Sequence, residues 1–257
     1  MKRLIATIAV CAAALTAPAV AEDDTATALL QERFPQITIE RVRPSPMPGV
    51  VEVVYGGDQV VYVSEDGRYL LNGALMDLDQ QSNLTEATQV EMRALLGPRW
   101  LGLFEQLGND NFLAFGGDAA GPLAGRTITA FTDVTCPWCN RLHNQIDELT
   151  QAGVTVNYIL FARAGLGSDV HQRHISIWCS SDPQRMLTHA KAGGAVPPAQ
   201  CENPVDAHMG LVRAVGVNGT PTLVLDNGER VDGFRSAADL IAMLEANGPV
   251  KPEYATR

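Results

Sequence analysis

The chain has 257 residues, with 19 basic against 29 acidic side chains, a formal charge of −10 and a hydrophobic content of 46%. That length suits two modest domains better than one. An acidic chain without a basic cluster argues against nucleic acid or an anionic membrane as a partner.

Residues 1–21 read as a secretory signal peptide. Lys2 and Arg3 form its basic start, Leu4 to Leu15 its apolar run, and Ala19-Val20-Ala21 an A-x-A cleavage site. The apolar run is shorter than the roughly 20 residues that span a bilayer, which sets a membrane anchor aside. Cleavage leaves 236 residues (257 − 21) and takes the charge from −10 to −12 as Lys2 and Arg3 depart.

From residue 22 to residue 83 the pattern is that of a small domain. Thr25 to Phe34 is predicted as a helix with Leu29, Leu30 and Phe34 on one side, ended by Pro35. Strands are expected at Gln36 to Val42, Val50 to Tyr55, Gln59 to Val63 and Tyr69 to Leu71, with turns at Gly56-Gly57-Asp58 and Glu65-Asp66-Gly67. A sheet domain this small is marginal alone, and pairing a free edge with a second copy would relieve that.

Residues 84–122 read as a helical linker. Val90, Leu95, Leu96, Leu101, Leu103, Phe104 and Leu107 recur at helical spacing, Gly97-Pro98 is expected to break or kink the run, and Gly116 to Pro122 is a loop. Residues 123–257 form the second domain. A strand at Thr127 to Val134 leads into a helix carrying Cys139, Leu142, Ile146 and Leu149 on one stripe, and Val154 to Phe161 is the next strand. Helical material fills Asp169 to Val215. Two strands then flank Asn227-Gly228, and a last helix is capped by Ser236. This order, β-α-β, helices, β-β-α, is thioredoxin-like with a helical insertion.

Four cysteines survive cleavage: Cys136, Cys139, Cys179 and Cys201. An even number in an exported protein points to two disulfides, with three possible connectivities. Adjacent pairing, 136–139 and 179–201, is the economical one. Zinc ribbons use two short C-x-x-C knuckles, and Cys179 and Cys201 stand 22 apart, so no metal site is expected. No cofactor motif is present.

Cys136-Pro137-Trp138-Cys139 lies between a strand and a helix. There the first sulfur meets unpaired N–H donors and the helix dipole, which favour its thiolate. Cys136 is therefore the expected nucleophile, and Cys139, one turn in on the buried stripe, the resolving thiol. Pro137 suits the first helical turn, and Trp138 is left to present an aromatic surface. The bland alternative is a static staple across a turn. Gly219-Thr220-Pro221-Thr222 is weak by itself. In a thioredoxin-like order its proline is expected to be cis and to face the cysteines, leaving the preceding backbone free to pair with an extended substrate.

Cys179 and Cys201 are read as structural, closing a loop that is worth about 3 kcal/mol of chain entropy. The alternative is a second redox pair. His171 and His174, an i,i+3 pair without a third ligand, are read as a polar helix surface. His143 and Asp133 flank the redox turn. Asp133 is either a proton-traffic residue or an ordinary loop carboxylate.

Several separated blocks resemble the DsbC/DsbG family of periplasmic thiol:disulfide isomerases in the expected order. They are Val61 to Gly73, Phe131 to Cys136, Ala164 to Ser168, Ile177-Trp178-Cys179 and Gly216 to Pro221. The resemblance implies an α+β protein: an N-terminal antiparallel-sheet dimerisation domain, a helical linker, and a C-terminal thioredoxin-like domain with a helical insertion. It also implies a V-shaped homodimer whose apolar cleft holds misfolded exported proteins with non-native disulfides. Cys136 would attack the substrate, Cys139 would resolve the mixed disulfide, Thr220 and Pro221 would line the site, and a DsbD-type membrane reductase would keep the pair reduced. Pro137-Trp138 and the long segment Leu84 to Gly121 are closer to DsbG, whereas the pair Cys179 and Cys201 is a DsbC trait. The leading expectation is a disulfide isomerase and reductase. The alternatives are a DsbG-like reductase of sulfenylated cysteines and a chaperone whose cysteines matter less.

Overall fold

The computed structural model describes residues 24–35 and 37–248. The signal peptide expected at residues 1–21 lies outside them, as does Gln36, the first residue of the strand expected at Gln36 to Val42. The first helix, α1 (Asp24–Arg33), leads into an antiparallel sheet of β1 (Ile39–Pro44), β2 (Val50–Tyr55), β3 (Gln59–Ser64) and β4 (Leu70–Leu71), in that order. Val51, Val53, Val61 and Val63 turn one face of it towards Leu30 of α1, while Val54, Val60 and Tyr62 point the other way. That alternation is the two-residue period of a strand, here serving two cores at once. The last strand is short and its Leu70 and Leu71 are each 55% exposed.

A two-strand ribbon of β5 (Met76–Asp77) and β6 (Ser82–Asn83) precedes α2 (Leu84–Leu107). Asn83 caps this helix by accepting from the Glu86 N–H at 3.1 Å. Gly97-Pro98, expected to break or kink the run, does not break it, and α2 runs 24 residues with Pro98 inside it. Met92 and Leu96 before the proline, and Trp100 and Phe104 after it, enter one apolar core, so tertiary packing overrides the lost backbone hydrogen bond. Gly97 serves that packing: a Cβ there would stand 2.7 Å from the Gly228 carbonyl oxygen.

The second sheet has the order β11-β10-β8-β9-β7. Its parallel centre is β8 (Thr127–Thr132) beside β9 (Thr155–Leu160), and β10 (Thr222–Leu225) and β11 (Arg230–Asp232) add antiparallel strands on one side. On the other side lies β7 (Leu113–Phe115), from the segment read as linker, antiparallel to β9. The helix expected from Cys139 is two pieces, α3 (Pro137–His143) and α4 (Ile146–Gln151), interrupted at Asn144-Gln145. The insertion holds α5 (Asp169–Trp178), α6 (Pro183–Lys191) and α7 (Val205–Val215), and α8 (Ala237–Ala246) closes the fold.

Ile128 and Ala130 of β8, with Val156, Tyr158 and Leu160 of β9, face the core made with α3 to α6 and α8. Phe131 and Ile159 face the opposite core, shared with α2, α7 and the N-terminal sheet. By the same period Thr132 lies on the α3 and α6 side.

The turn between β2 and β3 is clamped to the second sheet by charge. Asp58 is fully buried and Arg230 has 1% side-chain exposure; Arg230 Nη1 lies 3.2 Å from Asp58 Oδ1, and Arg93 Nε donates to Asp58 Oδ2 at 2.5 Å. Arg230 also donates to the carbonyls of Val215 and Gly216 and stands 5.7 Å over the Trp100 ring. Replacing Asp58 by Ala leaves the buried Arg230 with Asp232, 3.0 Å away, as its remaining carboxylate, and removes the carboxylate at the turn end of the clamp, an effect on the order of 2–3 kcal/mol. The D58A protein is expected to unfold at clearly lower urea, and the double variant D58A/R230M to recover part of the loss. Equal urea midpoints for D58A and the parent would show that the clamp carries no energy.

Candidate active site

Strand β8 ends one residue before Asp133, and the chain then turns through Val134 and Thr135 into α3. Cys136 is the N-cap of α3, with φ −87° and ψ 117°, and Pro137 occupies the first helical position, where no N–H is required. The Cys136 thiol donates to the Thr220 carbonyl at 3.2 Å, and the Thr220-Pro221 bond is cis. Cys139 lies one turn further in, and both cysteines are thiols with only 1% of their surface exposed. The Thr220-Pro221 segment covers the sulfur from one side.

The two thiols are set apart electrostatically. Burial works against ionising Cys136, yet Thr220, the Cys139 thiol, and the N–H groups of Cys139 and Trp138 outweigh it and bring its pKa below the ordinary cysteine value. Thr220 Oγ1 is buried without another hydrogen-bond partner, so its hydroxyl is free to serve that thiolate. For Cys139 burial dominates and raises the pKa, although the Lys191 charge, the Asp133 backbone, Thr220 and Thr132 all pull the other way. Such a split suits an attacking sulfur beside one held in reserve.

Asp133 proves to be a loop staple. It accepts the N–H and hydroxyl of Thr135, each at 2.7 Å, and the backbone N–H and Nε of Arg163, each at 3.1 Å. Burial opposes its charge, but these bonds prevail and hold it below the usual carboxylate range. His143 is buried under the turn. Its Nδ1 lies 3.1 Å from the Tyr158 hydroxyl and its Nε2 2.9 Å from Thr188 Oγ1. The Thr188 hydroxyl donates to Gln184, so Nε2 carries the proton.

His171 and His174 are not a polar surface. They are 4% and 0% exposed: His171 Nδ1 accepts the Gly167 N–H and its Nε2 faces Asp206 at 2.9 Å, while His174 Nε2 accepts the Val134 N–H at 3.4 Å. Among the described residues, no three His, Cys, Asp or Glu side chains are grouped to hold a metal ion.

Trp138 is 54% exposed beside the turn. Its ring lies 5.9 Å from that of Phe234, and the Arg141 guanidinium sits over both, at 5.7 and 4.9 Å. These rings give the mouth of the site an apolar surface. Cys179 and Cys201 are joined to each other, away from the turn, across the loop that carries α6.

Sequence reasoning missed Thr132 and Lys191. Lys191 is 5% exposed and its Nζ donates to Thr132 Oγ1 at 2.7 Å. The available signal was its position four residues after Leu187, on the apolar stripe of α6, where a lysine is out of place.

A family model described as the disulfide bond isomerase protein N-terminal domain matches residues 17–86, and one described as a thioredoxin-like domain matches residues 119–248. The chain is 30% identical to the thiol:disulfide interchange protein DsbC of Dickeya dadantii, over 96% of this chain and 97% of that one. It is 31% identical to the protein of the same name from Haemophilus influenzae, over 95% and 98% respectively. Among solved structures, a disulfide interchange protein from Neisseria gonorrhoeae aligns with 28% identity and TM-score 0.47, over 55% of this chain and 98% of that one. A linker-deleted ScsC of Proteus mirabilis aligns at TM-score 0.50 and 16% identity, over 63% and 86%, a likeness of fold alone.

Proposed function

The chain belongs to the DsbC family of thiol:disulfide interchange proteins, and from that premise we propose that Cys136 and Cys139 are its exchanging pair. The observation that carries this reading is the Cys136 sulfur at the cap of α3, 3.2 Å from the Thr220 carbonyl, with a second thiol one turn behind it. The Cys136 thiolate attacks one sulfur of a substrate disulfide; that S–S bond breaks, a mixed disulfide forms, and the substrate's other sulfur leaves as a thiolate. In isomerisation that thiolate, or another in the substrate, attacks elsewhere and finally expels Cys136. In reduction Cys139 attacks Cys136, the mixed disulfide breaks, and the protein pair leaves oxidised by two electrons. The backbone at Thr220-Pro221 pairs with an extended substrate strand, and Pro137 and Trp138 meet its side chains. The pair Cys179 and Cys201 is structural.

The working molecule on this reading is residues 22–257 in the periplasm. Residues 22–83 form a dimerisation domain and 123–257 the catalytic domain; 84–122 is a linker in its helix α2, and its strand β7 joins the catalytic sheet. The free edge at β4, with Leu70 and Leu71 exposed, supports pairing with a second copy. Its substrates are exported proteins with wrong disulfides, and its reductant is a DsbD-type membrane protein.

The test is refolding of a scrambled-disulfide ribonuclease in a glutathione buffer, with the mass in solution measured alongside. Recovery of ribonuclease activity should accelerate severalfold, and the mass should be that of two chains. Inactivity there, together with rapid reduction of a sulfenylated peptide to its thiol and water, would favour the sulfenate reductase instead.

A further inference from the structure

Lys191 carries an ammonium group out of water with little to balance it. Its Nζ has the Thr132 hydroxyl at 2.7 Å and the face of Tyr158 at 5.7 Å. Among the described residues no carboxylate forms an ion pair with it, and Asp133 is already engaged by Arg163 and Thr135. A buried cation in this position is strongly unfavourable unless an anion is within reach. Burial lowers Lys191 to about 8, and the groups that favour its charge are Cys139 first, then Cys136 and Asp133. Among the described residues, the anions that favour its charge and are not otherwise occupied are therefore the thiolates of the redox turn.

We infer that Lys191 is a positioning residue for the second half of exchange: its ammonium, seated on Thr132, stabilises the Cys139 thiolate as it attacks the mixed disulfide. This rests on the exchange reading above. In that step Cys139 loses its proton, its sulfur bonds to Cys136 Sγ, the bond from Cys136 to the substrate breaks, and the departing substrate sulfur takes up a proton. The Cys179–Cys201 bridge closes the loop that contains α6, so it also helps to hold Lys191 in place.

The other charged or titratable groups around the pair do not change state near neutral pH. Burial keeps His143 and His174 neutral, lowering them to about 4 and about 3. Tyr158 is pushed up by burial and stays protonated. Burial pulls the Arg163 pKa down but the Asp133 carboxylate raises it further, so it stays positive, while Asp133 stays negative. Burial likewise lowers His208 to about 4, and His171 faces Asp206 at 2.9 Å, so of the groups that bear on Lys191 the two cysteines are the ones placed to respond with it.

The experiment follows full-length mature protein reacting with oxidised glutathione by acid quench and mass spectrometry across pH 6–9. It reads formation of the glutathione adduct on Cys136 separately from its resolution by Cys139. In K191M and K191Q, resolution at pH 7 should slow about tenfold and its pH midpoint should rise by about one unit. Adduct formation should stay within about twofold of the parent. K191M should melt no lower than the parent, since methionine replaces a buried charge with a similar volume. An unchanged midpoint in K191M, or equal slowing of both steps, would overturn the inference. A parent protein that forms no adduct would overturn the functional reading and this inference with it.

Discussion

Replacing Cys136 by Ala should reduce disulfide exchange to the uncatalysed rate, a loss on the order of a thousandfold or more, because the variant has no attacking sulfur. Cys139→Ala should behave differently. Cys136 keeps its cap position and its Thr220 contact, so the first attack continues. The product then waits, because no second thiol stands behind it, and a long-lived mixed disulfide with substrate should accumulate on gels run without reductant. The same pair of variants tests the order of events. If Cys139→Ala lost the first attack while Cys136→Ala retained it, the assignment of the two sulfurs would be reversed. If Cys136→Ala kept full exchange activity, the redox turn would be a staple.

The second large effect is loss of stability in mild acid. His208 is buried with both ring nitrogens committed: Nδ1 accepts the Leu160 N–H at 3.1 Å and Nε2 faces the Asn111 carbonyl at 2.7 Å. Protonating Nδ1 breaks the first of these. His174 accepts the Val134 N–H and faces the same conflict, whereas His143 resists protonation through burial and the nearby Lys191 charge. Burial lowers His208 and His143 to about 4, and His174 to about 3. In the unfolded chain each would sit at about 6.5. Between those values the unfolded state holds protons that the folded state refuses, so stability is full above about pH 6.5 and falls as the pH drops. Each histidine contributes about 1.4 kcal/mol per pH unit, and the three together roughly 4 kcal/mol per pH unit near pH 5. Against a typical total of about 5–15 kcal/mol, that places the onset of acid unfolding near pH 5. Asp133, held low by its hydrogen bonds, adds loss in the same direction at still lower pH. Urea titrations at pH 7.5, 6.0 and 5.0 are the check. A midpoint that stays constant over that range would mean the three rings titrate freely.

Parts of this protein were legible because they depend on neighbours in the chain. The strand, the CxxC turn and the helix after it follow from short-range patterns, as do Pro137 at a first helical position and the Ser236 cap of α8. The thioredoxin-like order followed from the sequence of periods, and the family from blocks of matching residues. The helix through Pro98 was not legible. A local rule gives a break there, and the buried residues on both sides that overrule it are recognisable only once the sheets stand beside them. The short strand β7 was lost for the same reason: three residues have no readable period, and only β9 gives them a place.

By itself the sequence determined which thiols stand at a helix start, in what order, and in which fold, since each depends on residues a few positions apart. Tertiary structure alone decided the electrical surroundings of those thiols. Lys191 comes to rest 59 positions from Thr132, and His174 40 positions from Val134. Contacts of that range leave no periodic trace, because they are set by how the helices of the insertion close over the sheet. The charge on a buried group depends on what replaces its water, and only the packed molecule specifies the replacement.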